Sequence, residues 1–250
     1  MTENTDKAWE KYGETDPYFG VLNLEKFRGQ NLDREVLQDF FVSGSEHIDQ
    51  ILSSIHKHLD PEFRAINSLD FGCGVGRLVV PLAKISKSAV GIDVSESMLA
   101  EARKNCESNS VHNIDLVKSD DGLSKLAGRK FNLIHSYIVF QHIATHRGEV
   151  ILEKLLDYLE EGGVGVLHFN YASIESTSRQ IQYYLRRFVP GVNGLVNIIK
   201  GRKFSYPMMQ MNRYQLNRIF KILQKKNITN LYIDLTSDSF NLGAIIYFQK

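Results

Sequence analysis

Three glycines at alternate positions close the run Asp70-Phe-Gly-Cys-Gly-Val-Gly76. Glycine lets a backbone approach a ligand closely, and a helix starting just beyond offers unpaired N–H groups and partial positive charge to an anionic group. Asp93 lies seventeen positions past Gly76. At the end of the next strand its carboxylate can accept hydrogen bonds from both hydroxyls of a ribose. Together the two features predict a nucleoside-containing cofactor across the C-terminal edge of a parallel sheet. The spacing departs from the dinucleotide fingerprint G-x-G-x-x-G/A: Arg77 stands where its last residue belongs, and the third glycine, Gly76, comes one place early.

Other reactive residues form weaker patterns. His142 and His146 are four apart, but no Glu follows the first, so the zinc-protease arrangement is missing. His56 and His58 point to different faces of a helix. No metal site is expected. The two cysteines, Cys73 and Cys106, are too few for a disulfide framework and are expected to be reduced.

The elements that must position these residues alternate along the middle of the chain. Residues 68–71, 89–93, 115–118, 131–136 and 164–169 read as strands. Helices are expected from about Arg77, from Glu96 to about Ser108 with Ser95 as N-cap, and from Gly148 to Tyr158. The Glu161-Gly-Gly163 turn leads to the fifth strand. Strand–helix alternation at this spacing predicts right-handed βαβ units and a parallel sheet covered on both faces. Before it, residues 33–59 show helical apolar spacing, which Gly44 is expected to break into two helices. After it come a helix over 214–226 and two strands, 231–236 and 242–248, whose link at 237–241 is too short for a crossover, so the last pair is antiparallel.

The ordered set resembles the class I S-adenosylmethionine (SAM)-dependent methyltransferases. Asp70–Gly76 is similar to their first motif, Ala89–Leu99 to the segment that follows it, and Ser119-Asp120 to the acidic turn after the third strand. Phe131–Ile143 and Glu160–Gly163 resemble the fourth-strand signature of the small-molecule branch and the turn before the fifth strand. The resemblance implies an α/β, doubly wound, Rossmann-like sheet of seven strands ending in an antiparallel hairpin, with N-terminal helices and a helical cap inserted after the fifth strand. One methyltransferase domain would fill residues 1–250: an N-terminal helical lid (1–60), the SAM-binding core (61–170), a basic and aromatic cap (171–211), and a C-terminal helix with the last two strands (212–250).

For SAM the resemblance implies Asp70 near the methionyl amine and Gly72, Cys73, Gly74 and Gly76 as the backbone cradle, with Arg77 either capping charge locally or reaching the methionyl carboxylate. Asp93 would hold the ribose, Val94 and Met98 would flank the adenine, and Asp120, with Asp121 and Gly122 in the same turn, would meet its amino group. Ser136 and Tyr137 would face the methyl-bearing end. Methyl transfer from a sulfonium needs alignment and exclusion of water, and a base only where the acceptor loses a proton. His142 and Tyr137 are the candidates for that role; a purely structural histidine is the competing reading.

Acceptor choice is expected from the two flanks. Trp9, Tyr12, Tyr18 and Phe19 form an N-terminal aromatic group. The insertion from Tyr171 to about Met211 mixes aromatics, among them Tyr183, with methionines and basic residues such as Arg186. Between Tyr171 and Lys226 eleven basic residues face one acid, Glu175, a local +10 in a chain whose total is +1. This predicts a small or medium-sized acceptor that is anionic, carrier-linked or lipid-associated, with peripheral membrane contact through 171–226 as one outcome. No Asn-Pro-Pro-Tyr run or Pro-Cys pair occurs, which argues against DNA. Two other readings compete: a SAM-binding module without transfer activity, and a nicotinamide-dependent oxidoreductase. The polar N-terminus, the lack of a ~20-residue apolar run and the two cysteines lead us to expect a cytoplasmic protein.

Overall fold

The computed structural model describes residues 5–238 and 240–250. Its strands are β1 (Asn67–Phe71), β2 (Ser88–Asp93), β3 (Ile114–Lys118), β4 (Phe131–Ser136), β5 (Leu159–Ser173), β6 (Asn230–Ser237) and β7 (Asn241–Gln249). They form one sheet in the order β3-β2-β1-β4-β5-β7-β6. Neighbours are parallel from β3 to β5, while β7 runs antiparallel to both β5 and β6. Ser239, inside the 237–241 link, lies outside the described residues.

Successive strand residues serve opposite faces. Leu133, Val166 and Ile245 pack with Ile48, Ile51 and Ile55, whereas their neighbours Ile134, Leu167 and Ile246 pack with Leu152, Leu155 and Leu223. Both faces are covered, so the central strands are buried on both sides, the polar Ser68 and Asp70 of β1 and His135 of β4 included. The covering helices are α3 (Arg34–His58), α4 (Val79–Ile85), α5 (Glu96–Ser108), α6 (Thr145–Tyr158) and α9 (Leu216–Lys225). Ahead of them stand α1 (Thr5–Thr15) and α2 (Pro17–Val21); α7 (Thr177–Phe188) and α8 (Val192–Ile199) fill the insertion. Asp33 caps α3 by accepting from Val36 N at 2.8 Å, and Ser95 caps α5 by accepting from Met98 N at 3.1 Å.

Three expectations need correction. Gly44 does not break a helix: α3 runs unbroken for 25 residues. A Cβ at Gly44 would stand 2.1 Å from the Arg77 carbonyl oxygen, so this glycine serves the close approach of α3 to the chain before α4. Because α3 packs Ile48, Ile51 and Ile55 into the core, it belongs to a sheet-covering layer and not to a lid. Gly162 and Gly163 lie inside β5 instead of preceding it. With φ of +75° at Gly162 and a register shift between Phe131 and Leu133, they form an irregularity bonded to the C-terminus through Gly162 N to Lys250 O at 2.8 Å.

Candidate active site

The chain reverses strand order at β1, whose neighbours are β2 and β4, and the crevice beyond their C-terminal ends is where such sheets bind ligands. After Phe71 the backbone turns sharply: Gly72, Gly74 and Gly76 have φ of +77°, +53° and +96°. The amides of Gly72 and Cys73 both donate to Ile92 O, at 2.8 and 3.0 Å, which pins the turn to β2. Asp93 ends β2, and its Oδ2 accepts from Gly74 N while Oδ1 accepts from Ser95 N, each at 2.9 Å. No cation pairs with this carboxylate among the described residues. Burial, opposed by those amides, raises its pKa to about 6.

Two cavities meet here. The first, with about 790 Å³ of empty space including its mouth, is lined by Gly72, Gly74, Ile92, Asp93, Val94, Met98, Asp120 and Asp121, and covered by Thr5, Asp6 and Trp9 of α1. The second holds about 1730 Å³ under the insertion, with Tyr12, His168, Asn170, Tyr183, Arg186, Arg202 and Arg213 among its walls. Gly20, Val21, Tyr137, Ile138 and His142 line both. Ile138 has φ of +61°, a costly conformation for a β-branched residue. The strain lies in the five-residue wall between the chambers.

His142 is fixed in one tautomer. Its Nδ1 lies 2.8 Å from Gln210 O, which can only accept, so Nδ1 carries the proton and Nε2 keeps a lone pair. Burial lowers its pKa to about 4, against the pull of the Gln210 carbonyl, so the ring is neutral at neutral pH. Trp9 of α1 packs edge-on against it, ring centroids 4.9 Å apart.

The expected residues divide into two groups. Trp9, Gly72, Gly74, Asp93, Val94, Met98, Asp120, Asp121, Tyr137 and His142 line the first cavity; Tyr12, Tyr183 and Arg186 line the second. Seven line neither. Asp70 is turned into the sheet, its Oδ1 2.9 Å from His135 Nδ1, and Arg77 is buried beneath α3 with Nη1 3.4 Å from Ser43 Oγ. Ser136 Oγ donates to Phe71 O at 2.9 Å and ties β4 to β1. Cys73 contributes no thiol, since its side chain packs against Gly91 and burial pushes its pKa up. Gly76 and Gly122 shape turns. Tyr18 OH reaches Glu101 and Asn105 at 2.9 Å, anchoring α2 to α5. The Asp120 carboxylate already accepts from Ser124 N and Oγ, at 3.0 and 2.5 Å.

Sequence reasoning missed two groups. Arg147 of α6 bridges Asp6 of α1, with bonds of 2.8 and 2.9 Å, and Asp121, with bonds of 2.7 and 2.8 Å, fastening α1 across the first cavity. Asp70, His135 and His47 form a buried chain, with 3.2 Å between the two Nε2 atoms, and His47 packs on Tyr137 at 4.2 Å between centroids. Residues 47, 70 and 135 are too far apart in sequence to signal this meeting. Among the described residues no group of three or more His, Cys, Asp or Glu is placed to hold a metal.

Comparison with known proteins agrees with this geometry. Residues 69–163 match a protein family described as a methyltransferase domain. The chain is 30% identical over 143 residues to the ubiquinone biosynthesis O-methyltransferase of Dinoroseobacter shibae, covering 56% of this chain and 54% of that protein. It is 30% identical over 90 residues to a 23S rRNA uracil-C5 methyltransferase of Vesicomyosocius okutanii, covering 36% and 20%. The chain thus spans about half or less of the length of these two relatives. The crystal structure of magnesium protoporphyrin IX methyltransferase from Synechocystis, with bound SAH (S-adenosylhomocysteine), shares the fold at TM-score 0.65 and 18% identity, covering 99% of this chain and all of that one. Residues 69–163 thus match a methyltransferase-domain family, on a seven-stranded sheet that shares the fold of that SAH-bound structure. SAM is the methyl donor of this class, and the residues present fit it: an unpaired buried carboxylate for the ribose, glycine backbone beside it, and apolar walls from Ile92, Val94 and Met98.

Proposed function

We propose that the chain is an active SAM-dependent methyltransferase that methylates a hydroxyl of a polar, anionic small molecule. The observation that carries the reading is the shared wall of the two cavities, which a neutral His142 lines on both sides, the lone pair of its Nε2 taken only by a 3.3 Å contact from Gln141 Nε2 that an acceptor hydroxyl would displace. SAM bound in the first cavity supplies a methyl group already activated on a sulfonium. The protein's tasks are then alignment, exclusion of water and removal of one proton. Asp93 accepts from the ribose hydroxyls, Val94 and Met98 hold the base between apolar surfaces, and α1 covers the chamber. Tyr137 and Ile138 narrow the passage. His142 Nε2 accepts the hydroxyl proton. A pKa of about 4 suffices for this step, because a hydroxyl oxygen gaining a third substituent becomes a strongly acidic oxonium as the bond forms.

The anionic class follows from donors left without partners. Asn170 Nδ2 and Arg213 Nε are buried in the second cavity and make no hydrogen bond. Arg186 and Arg202 add positive charge there, and neither has an ion-pair partner among the described residues. Unspent buried donors of this kind are satisfied by a ligand with several acceptor oxygens. The relative from Dinoroseobacter, named as an O-methyltransferase, supports the hydroxyl.

Calorimetric titration with SAM, SAH and NAD tests the donor; we expect binding of the first two and none of NAD. With an acceptor found among hydroxylated carboxylates and phosphates, His142→Ala is expected to lower kcat by roughly 10²-fold or more and leave SAM affinity unchanged. The wild-type rate is expected to be flat above about pH 5 and to fall below it, following the His142 pKa of about 4. Binding of NAD alone would overturn the reading.

A further inference from the structure

The two helices of the insertion are folded inside out. On α7, Ile181, Tyr184, Leu185 and Phe188 recur at the three- and four-residue spacing of one helical stripe, and that stripe faces solvent, with Phe188 59% exposed. The opposite side of α7 carries Tyr183 and Arg186 into the second cavity. The pattern repeats on α8, where Leu195, Ile198 and Ile199 are 59%, 57% and 84% exposed while Asn197 is 1% exposed. Asn197 is held inward by its Nδ2 donating to Tyr206 O at 2.8 Å. An ordinary surface helix buries the apolar stripe and exposes the polar one. Here the fold uses the polar faces itself and leaves the apolar ones uncovered.

Charge decides what covers them. Arg179 lies on α7, and Lys200 and Lys203 follow α8, all three exposed. No acid occurs between residues 176 and 226. A second copy docked through the same face would bring these cations against their own counterparts, since a two-fold contact pairs a surface with itself. Apolar stripes rimmed by Lys and Arg are complementary to the surface of an anionic bilayer, whose headgroups attract the cations while its acyl boundary accepts the apolar side chains. We propose that the outer faces of α7 and α8 seat the protein on an anionic membrane surface. No helix among the described residues is long and apolar enough to cross a membrane, so the contact is peripheral. Because α7 also walls the second cavity, the seat holds that cavity beside the lipid headgroups. An amphiphilic acceptor would meet it there, a consequence that rests on the proposed function, as the docking itself does not.

Co-sedimentation of the full chain with vesicles tests this, using equimolar phosphatidylcholine and phosphatidylglycerol against phosphatidylcholine alone. We expect binding to the mixed vesicles, at least tenfold weaker binding to the neutral ones, and a decline with added salt. Lys200→Gln with Lys203→Gln is expected to weaken binding by roughly five-fold per cation. Phe188→Ser and Ile199→Ser are each expected to weaken it about tenfold or more. None of these residues lines either cavity, so unchanged SAM affinity in each variant shows that the fold is intact. Absence of binding to the mixed vesicles, or binding that these substitutions leave unaltered, overturns the proposal. So does a concentration-dependent dimer that Ile199→Ser dissolves, which assigns the face to a second copy. Vesicle binding by a chain that fails to bind SAM would uphold the docking surface and remove the proposed function instead.

Discussion

Asp93 carries more of the cofactor reading than any other side chain, and its environment makes that role testable. Two backbone amides hold its oxygens, no cation neutralises it, and burial raises its pKa to about 6. Only the ionised form accepts from two ribose hydroxyls at once, so cofactor binding is linked to loss of the Asp93 proton. SAM affinity is therefore expected to be constant above about pH 7 and to weaken about tenfold per unit below about pH 6. Asp93→Asn, which cannot titrate, should weaken binding at neutral pH and abolish that slope. Asp93→Ala is expected to cost roughly 10²-fold or more, since hydrogen bonds to a charged group contribute about 1.5–3 kcal/mol each. Calorimetry across this pH range checks all three, and a slope that persists in the Asn variant would remove Asp93 from the ribose site. The position of Asp93 was legible in the sequence because it depends on one strand end and one nearby turn. Asp70 and Arg77 belong to the same motif, yet their side chains line neither cavity: Asp70, expected near the methionyl amine, meets His135, and Arg77, for which local capping and a reach to the carboxylate were both open, lies against Ser43. Their partners, His135 and Ser43, come from elements more than thirty positions away.

At the scale of elements the cover over the first cavity is the part most open to experiment. Helix α1 is fastened at two points: Glu10 accepts from Ser97 Oγ at 2.6 Å at the start of α5, and Arg147 grips Asp6 and Asp121 together. Isolated surface ion pairs contribute about 0–1 kcal/mol, but a partly buried guanidinium shared by two carboxylates in bidentate geometry is worth more. Arg147→Met is expected to raise the SAM dissociation rate roughly tenfold, because opening α1 no longer breaks both ion pairs, while global stability changes by about 1 kcal/mol or less. Stopped-flow displacement and chemical denaturation measure the two quantities separately; an unchanged dissociation rate would show that α1 does not gate the chamber. Of the N-terminal aromatic group, Trp9 covers the first cavity, Tyr12 and Phe19 line the second, and Tyr18 anchors α2 to α5. The clamp was not legible in the sequence, since an arginine and two aspartates in three separate elements give no pattern. Gly44 and Gly162-Gly163 show the same limit from the other side. Glycine marks both a chain break and a close approach, and only the neighbour, here the Arg77 carbonyl or the C-terminal strand end, distinguishes them. The parallel sheet and its antiparallel end were legible because short strands alternate with helical stretches through the middle of the chain and the last two strands are joined by a link too short for a crossover.

The whole molecule concentrates its unusual titration in a few buried groups, and this sets its acid stability. Burial, reinforced by electrostatic interaction with the His135 ring, Arg77 and the His168 ring, lowers the pKa of His47 to about 2. Burial alone is the leading cause for His142 and His168, both at about 4. In the unfolded chain each of the three takes up a proton near pH 6.5, and in the folded chain none does until the pH is far lower. The unfolded state therefore binds more protons across this window, so stability is fully present above about pH 7 and is lost as the pH falls through 6.5. Asp93 acts in the opposite sense: its raised pKa lets the folded state take up a proton between about pH 6 and 3.8 and returns part of the loss. Each histidine contributes about 1.4 kcal/mol per pH unit, so three histidines less one carboxylate leave roughly 3 kcal/mol per unit between pH 6 and 4. Against a typical total of about 5–15 kcal/mol this removes a large share of the stability by about pH 4. Denaturant titrations at stepped pH should show the slope, and His168→Gln should flatten it by about 1.4 kcal/mol per unit while leaving stability at pH 8 within about 1–2 kcal/mol of wild type. A stability that stays level from about pH 7 to 5 would mean that these imidazoles take up protons in the folded chain. In that case the neutral His142 on which the proposed proton transfer depends would not exist at mildly acidic pH.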